Sequence, residues 1–418
     1  MTSKRHPRKI IRVGVVGVGR GMTFVRGAEP AGMQLVALCD TWKGRLGEAG
    51  RKLKVATYTD YDKFLEHDLD AVVLANYFHE HAPFAVKALD AGRHVMSECA
   101  ACHTPAEGVA LARAVERSGR IYMFAENYPY SAANQEMRRL YRQGLVGKFI
   151  YGEGEYIHPD PAEVRLARSC GRDHWRNWLP WGVYYCTHAI APVMHITDTR
   201  PQSVSSFVMP YDHDDPSHTM SAARTDVGAA LMLRMDNGAV VKALTGSLRG
   251  HGNFVRIHGN RGLMETCRHG DRSALRVVRE PWDKDPGEPV ERIYKPDFPI
   301  QHELAAKTGH GGGDFFTSWH FAEAIRSGRQ PYLDVYRGLE MSLCGIQGWR
   351  SALAGGVPQE VPDFRSEKVR KRYEADGFTC NPAVAGHAPL SILGDITPSR
   401  AAMALARKVW RQQGYTGR

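Results

Sequence analysis

The chain has 418 residues, 43% of them hydrophobic and 24% charged, with a net charge of +10. That composition excludes disorder over most of the length, and the length suits two domains. No stretch of 18 apolar residues occurs, so no membrane-spanning helix is expected, and no block of five like charges appears, which argues against a nucleic-acid partner.

The N-terminus is polar and has no export signal, so a cytoplasmic location is expected. The eight cysteines are then read as free rather than as a disulfide framework. In chain order, Ile10–Val16 is a β-branched run followed by Gly17, Gly19 and Gly21. Strands are expected at 33–39, 71–75, 94–97 and 121–125, and helices at 42–53, 81–91 and 105–118. Alternation of this kind means βαβ units and a parallel, Rossmann-type sheet over residues 10–130.

The pattern changes after about residue 147. Strand candidates at 149–157, 203–209, 225–235, 239–245, 254–258 and 263–267 follow one another, as in a mostly antiparallel open sheet. Asp236-Asn237-Gly238 is read as a type I′ hairpin turn. Helices are expected at 314–326 and 336–354. The fold class is therefore α/β, with a Rossmann domain followed by an α+β sheet domain over 131–365. Residues 366–418 are read as a surface-wrapping extension with a basic helix at 399–412.

Strand, Gly-x-Gly, helix, second strand and acidic residue make the dinucleotide fingerprint in its proper context. Gly17, Gly19 and Gly21 permit a tight turn and a close approach to a pyrophosphate. Asp40 lies 19 residues beyond Gly21 and would meet ribose hydroxyls, which favours NAD over NADP; Arg45 argues weakly the other way.

From Asn76 onward the residues resemble the Gfo/Idh/MocA oxidoreductases. Asn76–His81 stands where that family has T-P-x-x-x-H, and Ala88–Val95 resembles A-L-x-A-G-K-H-V. Met96-Ser97-Glu98 resembles the stretch leading into E-K-P, but Cys99 replaces the lysine and Ala100 the proline. One branch, the NAD-dependent glycosidases of glycoside hydrolase family 109, also lacks the lysine. Met123–Tyr128, Gly152–His158, Trp175-Arg176, Tyr185–His188 with Pro192, and Gly309–Asp314 are similar to that branch.

The resemblance implies NAD as cofactor and a small glycoside or sugar as substrate. It implies transient oxidation at C3, elimination, water addition and re-reduction; a net sugar or cyclitol dehydrogenase and a non-catalytic sensor are the alternatives. By resemblance, Arg20, Phe78, His81, Glu98, Cys99 and Asn127 would line the cofactor. Arg176, Thr187 and His310 would line the sugar, and His188, assisted by Tyr156 and Tyr185, would move protons. A homo-oligomer is expected.

Against each reading stands a plainer one. Tyr185 and His188 share a helix face at a spacing of three, as core pairs also do. Asp314 is also a candidate helix N-cap. Arg165, Arg168, Arg172 and Arg176 form one stripe if helical, either a solvated face or a clamp for an anionic sugar. Cys99–His103 has the spacing of c-type haem attachment, but it follows a Rossmann strand without an export signal and is set aside. Asp212, His213, Asp214, Asp215 and His218 fit no zinc or calcium spacing, are read as a solvated loop, and no metal is expected.

Overall fold

In a computed structural model of the chain, residues 10–209, 212–250 and 252–417 are described. The first strands are β1 (Ile11–Val16), β2 (Met33–Cys39), β3 (Ala56–Tyr58), β4 (Ala71–Leu74), β5 (His94–Ser97) and β6 (Tyr122–Phe124). Between them run α1 (Gly21–Ala28), α2 (Lys43–Leu53), α3 (Tyr61–Leu65), α4 (His81–Asp90) and α5 (Pro105–Ser118). The strands form one parallel sheet in the order β3-β2-β1-β4-β5-β6. The order reverses between β1 and β4, and doubly wound sheets take their ligands at that switch point. Covered on both faces, the strands are continuous apolar runs: every residue of β4, Ala-Val-Val-Leu, is buried. Helix α5 is set by local signals, with Thr104 and Glu107 in a reciprocal capping box, Pro105 at its start and Gly119 in the left-handed region at its end.

The chain continues through α6 (Ala132–Arg142), β7 (Phe149–Ile157), α7 (Ala162–Arg168), α8 (Trp181–Tyr184) and α9 (Thr187–Thr197). Strands β8 (Pro201–Met209), β9 (Gly228–Met235), β10 (Val240–Gly246), β11 (Gly252–Gly259), β12 (Gly262–Thr266), β13 (Leu275–Val278) and β14 (Glu291–Tyr294) follow, with β15 (Gln359–Glu360) much later. They form a nine-stranded sheet in the order β14-β13-β12-β11-β7-β10-β9-β8-β15. Every pair is antiparallel except β7 with β10. That one parallel pair puts the C-terminal ends of both strands on the same edge, opposing Tyr156 to Thr245. The remaining helices are α10 (His302–Ala305), α11 (Gly313–Ser327), α12 (Val335–Leu353), α13 (Glu367–Tyr373) and α14 (Arg400–Gln412).

Compactness divides the chain differently from the sequence reading. One unit holds the chain as far as Gln135 together with Asp297–Leu339 and Asp363–Ala375. The other holds Glu136–Pro296, Glu340–Pro362 and the chain from Asp376 onward. The expected boundaries at 130 and 365 treat each domain as one contiguous piece, whereas α11 and α13 return to the Rossmann unit. The extension beyond 366 is likewise shared: α13 belongs to the first unit and α14 to the second.

The turn at Asp236-Asn237-Gly238 also differs from expectation. Only Gly238 has a positive φ, and three residues separate Met235 from its partner Ala239, so this is a three-residue loop closed by one left-handed glycine rather than a type I′ turn. All eight cysteines are free. No helix among the described residues is long and apolar enough to cross a membrane.

Candidate active site

In the first unit the glycine loop meets the geometry that a dinucleotide needs. Gly17 has φ +92°, and a Cβ there would collide with the carbonyl oxygen of Ala75, so only glycine lets the turn pass beside β4. Nothing lies within 4 Å of a Cβ built on Gly19, which leaves that side of the loop open. Helix α1 starts with no side-chain cap, and the N–H groups of Met22 and Thr23 turn back to the carbonyl oxygens of Gly19 (3.3 Å) and Arg20 (3.0 Å). The Asp40 carboxylate accepts hydrogen bonds from the N–H of Val18 (2.8 Å) and of Trp42 (2.7 Å), fixing it at the end of β2 beside the loop. The Arg45 guanidinium stacks on the Trp42 ring at 3.8 Å. These residues fit NAD: Gly17, Gly19 and Gly21 would hold the pyrophosphate, and Asp40 the ribose.

Several of the other expected cofactor residues join a polar network around the buried Asp314 carboxylate. Arg20 donates to Glu98 Oε1 (2.6 Å) and Asp314 Oδ1 (2.9 Å). Asp314 also accepts from Asn127 Nδ2 (2.9 Å) and hydrogen-bonds His310 Nδ1 (2.8 Å). Asp314 is 4% exposed. Burial alone would raise its pKa, but His310 and Arg20 outweigh that and hold the carboxyl well below the usual carboxylate range. Burial likewise opposes the Arg20 charge, and Glu98 and Asp314 more than restore it. The N-cap reading of Asp314 is corrected here: Gly312 is the cap residue, and the Asp314 side chain turns to Arg20, Asn127 and His310 instead. His310 itself adopts a left-handed conformation (φ 53°) at the head of Gly311 and Gly312, which do the same. This places His310 in the Arg20–Asp314 network of the first unit, whereas Arg176 and Thr187 lie in the second.

Phe78, His81, Cys99 and Asn127 are all buried. His81 opens α4, and its Nδ1 meets the carbonyl oxygen of Ala100 at 2.9 Å; burial pushes its pKa down. The Cys99 thiol donates to Glu126 Oε2 at 3.3 Å. Cys102 and His103 are also buried, and burial brings His103 down to about 3.

The second unit gathers the three expected proton-transfer residues. On β7, Gly152, Gly154 and Tyr156 point to one face. A Cβ on Gly154 would overlap the Ala189 backbone of α9, so glycine lets that helix lie against the strand. Two residues on, Tyr156 meets the first turn of α9, where His188 stands. The Tyr156 and His188 rings are 4.6 Å apart and near perpendicular, and Tyr185 and His188 are 4.8 Å apart. Tyr185 stacks on Trp175 at 6.3 Å, and the Arg176 guanidinium lies 4.3 Å from the Trp175 ring centre. Arg176 forms no ion pair among the described residues. Thr187 departs from expectation: it is fully buried and does not line the cavity beside these rings.

That cavity is walled by Tyr156, Tyr185, Trp181 and Arg176, and on its far side by Arg165 and Arg168. The arginine stripe is not one helix. Helix α7 ends at Arg168, a loop intervenes, and Arg176 sits in a separate short helical turn at 175–177. Arg165, Arg168 and Arg176 nevertheless reach the same cavity, while Arg172 is exposed and does not line it. Arg165 hydrogen-bonds the Ser247 hydroxyl, and Arg168 pairs with Asp160 at 2.6 Å.

Asp160 and Ser247 carry no mark in the sequence, because only the parallel pairing of β7 with β10 brings together the segments that follow those strands. His218 corrects the solvated-loop reading: it is 6% exposed, and its ring nitrogens face the carbonyl oxygens of Asp160 (3.1 Å) and Ser247 (2.5 Å).

Comparison with known proteins matches two consecutive regions of the chain. The oxidoreductase family with an NAD-binding Rossmann fold, Gfo/Idh/MocA, matches residues 11–126, and the family described as glycosyl hydrolase 109, C-terminal domain, matches residues 130–371. An alpha-N-acetylgalactosaminidase from Shewanella oneidensis is 25% identical over 404 residues, covering 85% of each chain. A glycosyl hydrolase family 109 protein from Solibacter usitatus is 26% identical over 412 residues, covering 88% of this chain and 91% of its own. Among solved structures, a levoglucosan dehydrogenase in complex with NADH and levoglucosan has a TM-score of 0.72 at 19% identity, covering 85% of this chain and all (100%) of its own. An inositol dehydrogenase homolog complexed with NAD+ from Azotobacter vinelandii has a TM-score of 0.66 at 20% identity, covering 84% of this chain and 97% of its own. At those identities the structures establish the shared fold. With an NAD-binding Rossmann domain and a matched C-terminal domain that spans more than half of its length, the chain is an NAD-dependent enzyme and belongs to glycosyl hydrolase family 109 within the Gfo/Idh/MocA oxidoreductases.

Proposed function

We propose that the protein is a glycosidase that passes through a 3-keto sugar and uses NAD without consuming it, and that its substrate carries a negative group. The observation that carries the reading is the convergence of Tyr156, Tyr185 and His188 at the edge of a cavity walled by arginines. NAD, when bound, supplies a hydride acceptor that hands the hydride back, so turnover leaves the cofactor unchanged.

The chain's own groups do the rest. A ketone at C3 acidifies the C2 proton, and the His188 imidazole is the base of this cluster that would take it. The Tyr156 phenol, ring to ring with His188, is placed to assist by passing a proton to or from a sugar oxygen. Loss of the C2 proton and of the C1 aglycone gives an enone, and water adds to it at C1. No pair of carboxylates flanking the bond is needed, unlike ordinary glycosidases. The Arg165 and Arg176 guanidinium groups suit a sulfonate or carboxylate on the sugar, since two parallel N–H donors match two anionic oxygens. Phe207 and Met232, exposed on the paired strands β8 and β9, support assembly of a homo-oligomer through that end of the sheet.

The test uses the NAD-loaded protein and a panel of neutral, N-acetylated, uronate and sulfonated nitrophenyl glycosides. The reading expects nitrophenol release with no accumulating NADH, exchange of a C2 deuterium with solvent, and preference for an anionic sugar. Stoichiometric NADH without nitrophenol would instead establish a net sugar dehydrogenase, the activity that the fold neighbours' names suggest. Retention of the C2 label during cleavage would exclude elimination.

A further inference from the structure

The wall of the cavity that bears Arg165 and Arg168 is not self-sufficient. Helix α7 has seven residues, and its N-cap, Pro161, offers no side-chain hydrogen bond. A helix of two turns does not persist in water by its own hydrogen bonds, so tertiary packing must hold it. Only Ala162 and Leu166 of α7 are buried, four residues apart and so on one face.

The element packed against α7 is α14. Its buried residues are Ala402, Ala406, Val409 and Trp410. The alanines, again four apart, permit close approach of the two helices. The Trp410 indole N–H donates to the Leu166 carbonyl oxygen at 3.1 Å, a buried bond that adds to the one the same carbonyl accepts from the Ser169 N–H (3.1 Å) at the α7 C-terminus. Past the helix end, Tyr415 covers Gly171 in the loop after α7: a Cβ on Gly171 would come within 2.8 Å of the tyrosine ring. From the cavity side, Asn177 holds the same loop by donating to the carbonyls of Ser169 (3.2 Å) and Gly171 (2.8 Å). The arginine wall is thus clamped between Asn177 on the inside and Trp410 with Tyr415 on the outside. Helix α14 lies beyond residue 371, outside the region matched to the family.

We propose that the C-terminal helix is a specificity-determining element: by holding α7 through Trp410 it sets the position of Arg165 and Arg168, and with it the affinity for the sugar's charged group. Trp410 is a positioning residue, since it acts through Leu166. The proposal rests on the glycosidase reading for the nature of the ligand, but not for the mechanical claim.

The experiment compares wild type, Trp410→Phe, Trp410→Ala and Arg165→Ala in the full-length NAD-bound protein. Two quantities are read: hydrogen exchange of the amides in residues 162–169, and KM and kcat for the best sugar or glycoside of the panel above. Trp410→Phe keeps the ring and deletes one buried donor, so exchange in 162–169 should rise about fivefold, and KM about two- to fivefold, with kcat unchanged. Trp410→Ala should exceed both effects while exchange in β7 and β10 stays as in wild type. A merely structural role would lower active concentration and melting temperature without a selective KM effect. If Trp410→Phe leaves both exchange in 162–169 and KM at wild-type values, the proposal is overturned, whether or not Trp410→Ala folds. If instead the best substrate is neutral and Arg165→Ala does not change its KM, the anionic-sugar reading falls. Faster exchange with a raised KM in the Trp410 variants would still uphold the clamp.

Discussion

Asp314 and His188 stand at equivalent places, each in the first turn of a helix that opens on a functional region, yet their surroundings are opposite. Asp314 is closed in by three donors, Arg20, Asn127 and His310, and its charge is spent inside the protein. His188 is bracketed by two aromatic rings and is only half buried, and those two rings wall a cavity that Arg165, Arg168 and Arg176 also line. The difference separates two uses of a polar group. A fully partnered buried charge fixes the shape of a backbone segment, here the left-handed run at 310–312. A half-buried histidine packed between two tyrosine rings is oriented by them beside a cavity.

The sharpest way to break the comparison is to exchange the consequences. His188→Ala should lower kcat by roughly 10²–10⁴, the usual worth of a positioned acid–base group, while NAD binding and the melting temperature stay near wild type. Near-normal turnover would show that His188 is packing and would remove the contrast. Stopped-flow and steady-state assays with the best glycoside decide this.

Asp314→Ala should do the reverse, costing about 1–3 kcal/mol of stability, because the partly exposed Arg20 keeps Glu98 but loses its second carboxylate. The pH dependence supplies a second check. Asp314 has a folded pKa below its unfolded value of about 4, so its stabilisation is complete above that pH and is lost as the pH falls below it toward the folded value. Urea titrations from pH 6 to pH 3 should show wild type losing more stability than Asp314→Asn. Parallel losses would mean that the carboxylate is not held in its charged form.

A smaller effect is expected at Asp40. Asp40→Ala should weaken NAD about tenfold and NADP hardly at all, since only NAD presents an unmodified ribose to a carboxylate. Calorimetric titration of both cofactors tests it. Wild type binding NADP as tightly as NAD would dismiss Asp40 as the selector.

Much of the Rossmann unit is legible because its signals are local: apolar runs, the Gly17 turn, the Thr104–Glu107 cap. Strand β3 escapes because Ala56-Thr57-Tyr58 is too short for any period. Strands β13 and β14 escape because Arg276 and Glu291 interrupt the alternation with charges that pair across the strands. Tyr156, Tyr185 and His188 could be named by resemblance, and their meeting follows from the glycines that admit α9. The partnership of Arg20 with Asp314 could not be read at all. Neither residue's neighbours in sequence announce the other, and the N-cap pattern at Asp314 points elsewhere. The arginine stripe shows the converse: the helix that would have aligned it stops at Arg168, but the folded chain reunites three of the four arginines.

The bond between Arg20 and Asp314 joins residues 294 positions apart. A ribosome adding about 5–20 residues per second needs roughly 15–60 s to travel from the first to the second. During that interval the nascent Rossmann sheet can form its parallel ladder, and Glu98 can already engage Arg20, but the carboxylate that completes the network does not yet exist. The dinucleotide-binding unit is therefore finished late, after the whole nine-stranded sheet except β15 has been synthesised.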